Sequence, residues 1–116
     1  MPQDFLRIDD QPGASTGQRV LRLEGALVLT TMFDFQKLVR SDESRCLIID
    51  FGKISYVDSA GIGALVGAYV SRQKDGRGLA LVAVSDRVRG SLQVTRVEQF
   101  FRFFDSVEAA EQATAA

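Results

Sequence analysis

The residues of this chain best suited to chemistry are a polar pair, Asp58 and Ser59. They stand where an apolar, strand-like run ends and a helical pattern begins, and small residues follow them at positions 60 and 61. A hydroxyl at the start of a helix is exposed by geometry and lies at the positive end of the helix dipole. Ser59 is therefore the first candidate for a functional side chain.

Catalysis by Ser59 is disfavoured because the chain offers no suitable partner for the hydroxyl proton. A serine nucleophile needs an adjacent base, and the chain contains no histidine. Lys53 and Lys74 are not obviously placed to substitute, and Asp58 is adjacent in sequence, which is poor geometry for a base. The lack of histidine and the single cysteine, Cys46, also argue against a zinc site and Cys-His catalysis. The sequence predicts a protein that is not an enzyme and holds no metal.

A dinucleotide site is a second interpretation of the same stretch. Gly61, Gly63 and Gly67 follow a strand and open a helix, which superficially resembles a nucleotide-binding fingerprint. The spacing is not G-x-G-x-x-G, however, because Val66 occupies the position of the third glycine. Residues 53–57 also separate the predicted strand from the glycines. We therefore expect no nucleotide cofactor.

Regulation by covalent modification of Ser59 is the third interpretation. A phosphate would bring a charge of about −1.5 to −2, and the free N–H groups and dipole of a helix start tolerate it. The fold should then survive, while a partner docked over the helix start would meet a dianion near Asp58 and be expelled. The competing interpretation is purely structural, because Asp58 or Ser59 can simply cap the helix.

Hydrophobic patterning places these residues in an α/β domain. Strand-like and helical segments follow one another in the order β-β-α-β-α-β-α-β-α. The loop between the first two strands is too short for a parallel crossover, so they are predicted to form an antiparallel hairpin. The three alternating units that follow predict a mostly parallel sheet with about four helices in all. The strands are predicted near residues 5–9, 19–23, 46–51, 79–84 and 100–104, and the two longest helices over about 31–41 and 59–74.

The predicted helix over 59–74 has two distinct faces. Larger apolar residues at helical spacing should pack on the sheet, and small residues line the opposite face. Gly63 and Gly67 need an explanation there, because each glycine costs roughly 1 kcal/mol relative to alanine in a helix. Either another backbone approaches closely, or the face is kept flat for a partner. The large residues are Ile62, Leu65, Val66, Tyr69 and Val70, and the small ones are Ala60, Gly63, Ala64, Gly67, Ala68 and Ser71.

Length and composition indicate one globular domain. The chain has 116 residues, of which 46% are hydrophobic and 25% charged, as in ordinary soluble domains. Its net charge is −1 with no basic run, which argues against a nucleic-acid or anionic-membrane partner. We find no apolar stretch that would insert into a membrane and no signal-peptide pattern at the N-terminus. We expect a cytoplasmic protein, ordered over about residues 5–112, that is a monomer or a weak dimer.

The sequence resembles the STAS domains of bacterial anti-sigma factor antagonists, which are related in fold to the STAS domains of sulfate transporters. The resemblance rests on Leu-Glu-Gly-Ala-Leu at residues 23–27, on the strand at 47–51 and on residues 54–65. The last segment contains the core Asp-Ser-x-Gly-x-Gly, which is fairly specific for the family. The resemblance covers about residues 5–112 and implies a single STAS domain.

The resemblance implies a switch that works by exchanging partners. In that family the serine after the aspartate is phosphorylated by an anti-sigma factor that is also a serine kinase. The unphosphorylated protein binds the anti-sigma factor and frees the sigma factor, and phosphorylation ends the binding. Carried over to this chain, the phosphosite is Ser59. The expected partner-binding residues are Val28, Asp58, Ala60, Gly61, Ile62, Gly63 and Gly67.

Three positions depart from the pattern of the family. Val28 stands where an acidic residue is usual near the phosphosite, Ala60 where serine or threonine is common, and Arg96 near the position of a common glycine after the third helix. The apolar Val28 and Leu29 beside Ser59 suit a more hydrophobic partner. The alternative function is therefore a STAS subunit that docks on a lipid ABC transporter or in a larger signalling complex, without a phosphorylation cycle.

Overall fold

A computed structural model describes residues 4–116 and contains one five-stranded sheet with the strand order β1-β2-β3-β4-β5. β1 pairs antiparallel with β2, and the remaining neighbours pair in parallel. The predicted fold class is confirmed. The elements are β1 (Leu6–Pro12), β2 (Gln18–Leu27), α1 (Met32–Ser41), β3 (Cys46–Val57), α2 (Ser59–Lys74), β4 (Gly78–Val82), α3 (Asp86–Val94), a 3-10 turn (Glu98–Phe100), β5 (Arg102–Phe104) and α4 (Val107–Ala113).

The two faces of the sheet carry separate apolar clusters because side chains alternate along each strand. Leu47, Ile49 and Phe51 of β3 join the larger cluster, which also contains residues of α1, α2 and α3. Cys46 and Ile48 point to the other face and pack with residues of α4. Three helices therefore cover one face and α4 the other. Within residues 4–116 no helix is long and apolar enough to cross a membrane.

β3 is longer than predicted and projects beyond its neighbour β4. The predicted strand ended near residue 51, but residues 53–57 continue as strand because they stay paired with β2 as far as Leu27 and Val57. β4 stops earlier, where Val82 lies opposite Asp50. The last residues of β3 and the start of α2 consequently extend past the end of β4.

Two smaller differences, and two left-handed residues, concern the ends of other elements. The first strand extends to Pro12, which pairs with Arg19, and Phe100 belongs to the 3-10 turn before β5. Arg96, near the position where the family commonly has glycine, has a left-handed backbone with φ +62° after α3. Gly76, with φ +70°, takes the same place after α2. The two helices thus end alike, although only one uses the residue that suits this conformation without strain.

Candidate functional site

Asp58 ties the start of α2 to the loop that follows β2. Its Oδ1 accepts a hydrogen bond from the backbone N–H of Gly61 at 2.8 Å, which makes Asp58 the N-cap of α2. Its Oδ2 accepts from the N–H of Leu29 at 3.1 Å, and its own N–H donates to the carbonyl of Leu27 at 3.3 Å. Both carboxylate oxygens of Asp58 are therefore occupied by hydrogen bonds that hold the start of α2 against the loop after β2.

Ser59 is the first residue of α2, and its side chain is exposed. Asp58 performs the capping that the sequence allowed for either residue, so Ser59 is not needed for it. Among residues 4–116 the Ser59 hydroxyl has no hydrogen-bond partner. The hydroxyl is thus free to react with a group that another protein presents.

The glycines of α2 fall into two kinds. A Cβ at Gly61 would lie 2.1 Å from the carbonyl oxygen of Leu27, so only glycine fits where α2 meets the end of β2. A Cβ at Gly63 or Gly67 would meet nothing within 4 Å among the residues described. Close approach of another part of the fold therefore does not explain Gly63 and Gly67. The remaining predicted explanation is a face kept flat for a partner.

The predicted division of α2 into two faces is partly wrong. Ala64 and Ala68 are buried, because α1 lies alongside α2 and the larger cluster continues between the two helices. Val70, predicted to pack on the sheet, is 55% exposed and belongs to neither apolar cluster. We call the exposed residues Ser59, Gly63, Gly67 and Val70 the outer face of α2, which continues into the exposed Gln73 and Lys74 at the C-terminal end of the helix.

The predicted partner-binding residues differ in exposure. Val28 needs a correction, because its side chain is only 4% exposed and belongs to the interior. The neighbouring Leu29 is 56% exposed and is joined to Asp58 by its N–H, so it presents the apolar surface expected of Val28. Ser59, Gly63 and Gly67 are exposed, Asp58 and Ala60 are half-buried, and Gly61 and Ile62 are buried.

An open groove of about 520 Å³ lies between the start of α2 and α3, and Ser59 is one of the residues that line it. Tyr56, Ile62 and Val94 contribute apolar surface to the groove, and Val94 is the most exposed of them at 83%. Arg87 of α3 also lines the groove, with its guanidinium carbon 5.5 Å from the centre of the Tyr56 ring. Within residues 4–116 no cluster of His, Cys, Asp and Glu side chains is arranged to hold a metal ion.

Comparison with known proteins identifies the family. The family model of the STAS domain matches residues 7–110. The chain belongs to the STAS domain family. A curated relative, the anti-sigma-B factor antagonist of Staphylococcus aureus, is 23% identical over 91 residues, covering 76% of this chain and 84% of the relative.

Solved structures share the fold of this STAS domain. An anti-sigma factor antagonist from Mycobacterium paratuberculosis superposes with a TM-score of 0.81 at 19% identity, covering 93% of this chain and 92% of the other. The Bacillus cell fate determinant SpoIIAA in its phosphorylated form gives 0.72 at 17% identity, with coverages of 92% and 99%. A sulfate transporter family protein from Wolinella succinogenes gives 0.74 at 24% identity and covers 84% of each chain.

The groove beside Ser59 was not predicted from the sequence of this STAS domain. It lies beside the part of β3 that extends past β4, and that extension is seen in the strand pairing rather than in any local pattern. One local signal was available for Val94. It lies two residues after the buried Leu92 and six after the buried Val88, so it falls off the apolar stripe of α3.

Proposed function

We propose that this STAS domain is an anti-sigma factor antagonist whose unphosphorylated form binds an anti-sigma factor with serine-kinase activity and so frees a sigma factor. Phosphorylation of Ser59 would end the binding. The observation that carries the proposal is that Asp58 caps the start of α2, which leaves the Ser59 hydroxyl exposed and without a hydrogen bond among residues 4–116. The protein would act in the cytoplasm as a regulator, without a cofactor and without an enzymatic activity of its own.

The relatives support both parts of this proposal. The curated relative from Staphylococcus aureus is an anti-sigma-B factor antagonist, which supports the general function. SpoIIAA, which shares the fold, has been solved in a phosphorylated form, which supports phosphorylation as the means of control.

The modification is a phosphoryl transfer in which the partner supplies the catalytic groups. The Ser59 oxygen forms a bond to the γ-phosphorus of ATP, the bond from that phosphorus to the bridging oxygen breaks, and ADP leaves. The hydroxyl proton passes to a base of the kinase, as in other protein kinases. Ser59 needs only to be accessible and unconstrained, and its exposure satisfies that requirement.

The phosphate would act mainly on the surface rather than on the fold. A charge of about −1.5 to −2 on Ser59 would stand next to the Asp58 carboxylate, at a helix start whose dipole favours anions. A partner that covers Ser59 would have to bury or approach this charge, at a cost of several kcal/mol if it presents no cation there. Binding should therefore fail while the domain remains folded.

Mass spectrometry after incubation with the cognate anti-sigma kinase and ATP tests the assignment of the phosphosite. We expect a single phosphate on a peptide containing Ser59. The Ser59→Ala variant should remain unmodified. A phosphate on another residue, or none on the wild-type chain, would overturn the proposed switch.

Charge substitution tests the mechanism by which binding ends. Ser59→Asp should weaken partner binding about tenfold or more, since a charge at the interface costs upwards of 1.4 kcal/mol, whereas Ser59→Ala should bind like the wild type. Thr16→Asp is the matched control, because Thr16 is exposed and precedes β2, whereas Ser59 follows the end of the parallel strand β3, so the two lie at opposite ends of the strands. Equal binding by all three variants would count against electrostatic control.

Docking on a lipid ABC transporter remains the second candidate, because two large apolar side chains are exposed near the loop after β2. Leu29 is 56% exposed and Phe33, in the first turn of α1, is 62% exposed. Such a subunit would bind its partner permanently, with no kinase and no effect of Ser59→Asp. The genes beside this one distinguish the two functions, since an anti-sigma kinase gene favours the switch and ABC transporter genes favour docking.

A further inference from the structure

Arg87 stands in the groove beside Ser59 without an anionic partner. It lines the groove together with Ser59, and its guanidinium carbon lies 5.5 Å from the centre of the Tyr56 ring. Among residues 4–116 its side chain forms no ion pair and donates no hydrogen bond. Cation–π contact with an exposed ring is worth only about 0.5–1 kcal/mol, so Arg87 can leave Tyr56 for a stronger ligand.

The neighbouring arginine of α3 is arranged differently. Arg89 donates a hydrogen bond to the Glu98 carboxylate at 2.7 Å, and its guanidinium lies 4.0 Å from the centre of the Phe103 ring. This hydrogen bond holds the pKa of Glu98 below its ordinary value, as expected for a carboxylate paired with a guanidinium. Arg87 is therefore the cation of α3 that remains available on the side of the groove.

We propose that Arg87 binds the phosphate once Ser59 is phosphorylated, and so draws the phosphoserine into the groove. This inference rests on the proposed function and names the residue that would hold the switch in its off state. The charged residues on the groove lining are Asp58 and Arg87. Asp58 is an anion already bonded to Gly61 and Leu29, so Arg87 alone can offset the new charge from within the groove.

The chemistry of a guanidinium and a phosphate suits a stable but reversible contact between Arg87 and phosphorylated Ser59. A guanidinium donates two parallel hydrogen bonds to phosphate oxygens, which lysine cannot match. The bound phosphate would occupy the groove beside Tyr56 and Ile62, so a partner would lose apolar contact surface as well as meet a charge. Phosphorylation would in this way close the site rather than only repel the partner.

Titration of a uniformly phosphorylated protein tests the contact. Phosphoserine is placed at position 59 during translation through a genetically encoded phosphoserine codon, and the phosphorus NMR signal of the full chain is followed against pH. The second pKa of the phosphate should be lower in the wild-type chain than in Arg87→Gln by about one unit, as for an anion with a cation at contact distance. Arg87→Lys should give an intermediate value. Asp58 and the Tyr56 hydroxyl, the other titratable groups on the lining, are unchanged in all variants.

Arg102→Gln is the matched control. Arg102 also stands over an aromatic ring, at 5.3 Å from the centre of Phe104, and Phe104 packs with the cluster on the α4 side of the sheet. Its removal changes the net charge of the chain equally but should leave the phosphate pKa at the wild-type value. Equal pKa values in the wild type and Arg87→Gln, or equal shifts in Arg87→Gln and Arg102→Gln, would overturn the inference.

The side-chain N–H signal of Arg87 provides a direct second measurement. The Nε–H resonance of Arg87, assigned by its loss in Arg87→Gln, should move downfield when Ser59 carries phosphate, whereas that of Arg102 should not. An unmoved Arg87 signal would contradict the proposed contact. Because phosphoserine is installed during translation, this result does not depend on whether a kinase modifies Ser59, and the kinase test above does not depend on Arg87.

Discussion

The two faces of helix α2 are built from similar small residues but serve different purposes. On the inner face Gly61, Ala64 and Ala68 are buried, and Arg72 is buried with its guanidinium bonded to Asp42 at 2.8 Å. On the outer face, a Cβ added at Gly63 or Gly67 would meet nothing within 4 Å among residues 4–116. The Ser59 hydroxyl forms no hydrogen bond within the same residues. The fold accounts for the inner residues. It does not account for the outer ones, which is why we propose that they contact a partner.

The glycines show this contrast most directly, because the same residue type is required at one position and dispensable at the others. At Gly61 a side chain would collide with the carbonyl of Leu27. At Gly63 and Gly67 glycine only costs stability, roughly 1 kcal/mol each relative to alanine. Because no contact within residues 4–116 requires glycine at these two positions, they fit the proposal that a partner contacts this face.

Gly61→Ala should have the largest effect on the free energy of unfolding. The new Cβ would lie 2.1 Å from the Leu27 carbonyl oxygen, so α2 or the end of β2 must shift, and we expect a loss of about 3 kcal/mol. Urea denaturation followed by circular dichroism measures this loss. A loss below about 1 kcal/mol would mean that the start of α2 is not fixed against β2 as described.

Asp42→Asn should have the next largest effect, because it leaves the buried Arg72 guanidinium with less compensation. The Arg72 side chain is 2% exposed and that of Asp42 is 15% exposed. We expect a loss of about 2 kcal/mol, below the full cost of breaking a buried pair because Arg72 keeps its bonds to the carbonyls of Ser44 and Gly78.

The surface pair of Asp75 and Arg77 provides the control for that measurement. Its atoms are 3.7 Å apart and the Asp75 side chain is 52% exposed. Asp75→Asn should change the unfolding free energy by less than about 0.5 kcal/mol. Similar losses for Asp42→Asn and Asp75→Asn would show that the buried pair of Arg72 and Asp42 does not anchor the C-terminal end of α2.

Gly63→Ala and Gly67→Ala should each act in the opposite direction, raising the unfolding free energy by up to about 1 kcal/mol because the added methyl group meets open space and favours the helix. Each should also weaken binding of the partner if the outer face of α2 is in close contact with it. Calorimetric titration of both variants measures that effect. Higher stability with unchanged affinity would place the partner elsewhere on the domain.

Local patterns in the sequence predicted most of the fold but not the surroundings of Ser59. Helical periodicity placed α1 and α2, and the short first loop predicted the antiparallel hairpin. The predicted faces of α2 were wrong at Ala64, Ala68 and Val70. The burial of Ala64 and Ala68 depends on contact with α1, which the periodicity of α2 does not report. Val28 and Leu29 were both expected to present apolar surface beside Ser59, but only Leu29 is exposed.

The candidate site combines one feature that is local and one that is not. The Asp-Ser pair at a helix start is visible in the sequence, but the sequence does not show that Asp58 caps the helix and also accepts a hydrogen bond from Leu29, a residue 29 positions earlier in the chain. Arg87 and Ser59 line one groove beside the part of β3 that extends past β4. Both features bring together residues that are far apart in the sequence, which local patterns do not report.

The affinity of the anti-sigma kinase for two forms of this chain, unmodified and carrying phosphoserine at position 59, tests the central claim most directly. Calorimetric titration with both forms at matched salt isolates the effect of the single phosphate. The exposed and unbonded position of Ser59 on the outer face of α2 predicts binding by the unmodified form. It also predicts a loss of affinity of about 100-fold or more in the phosphorylated form. Equal affinities for the two forms would contradict the claim that Ser59 is the switch.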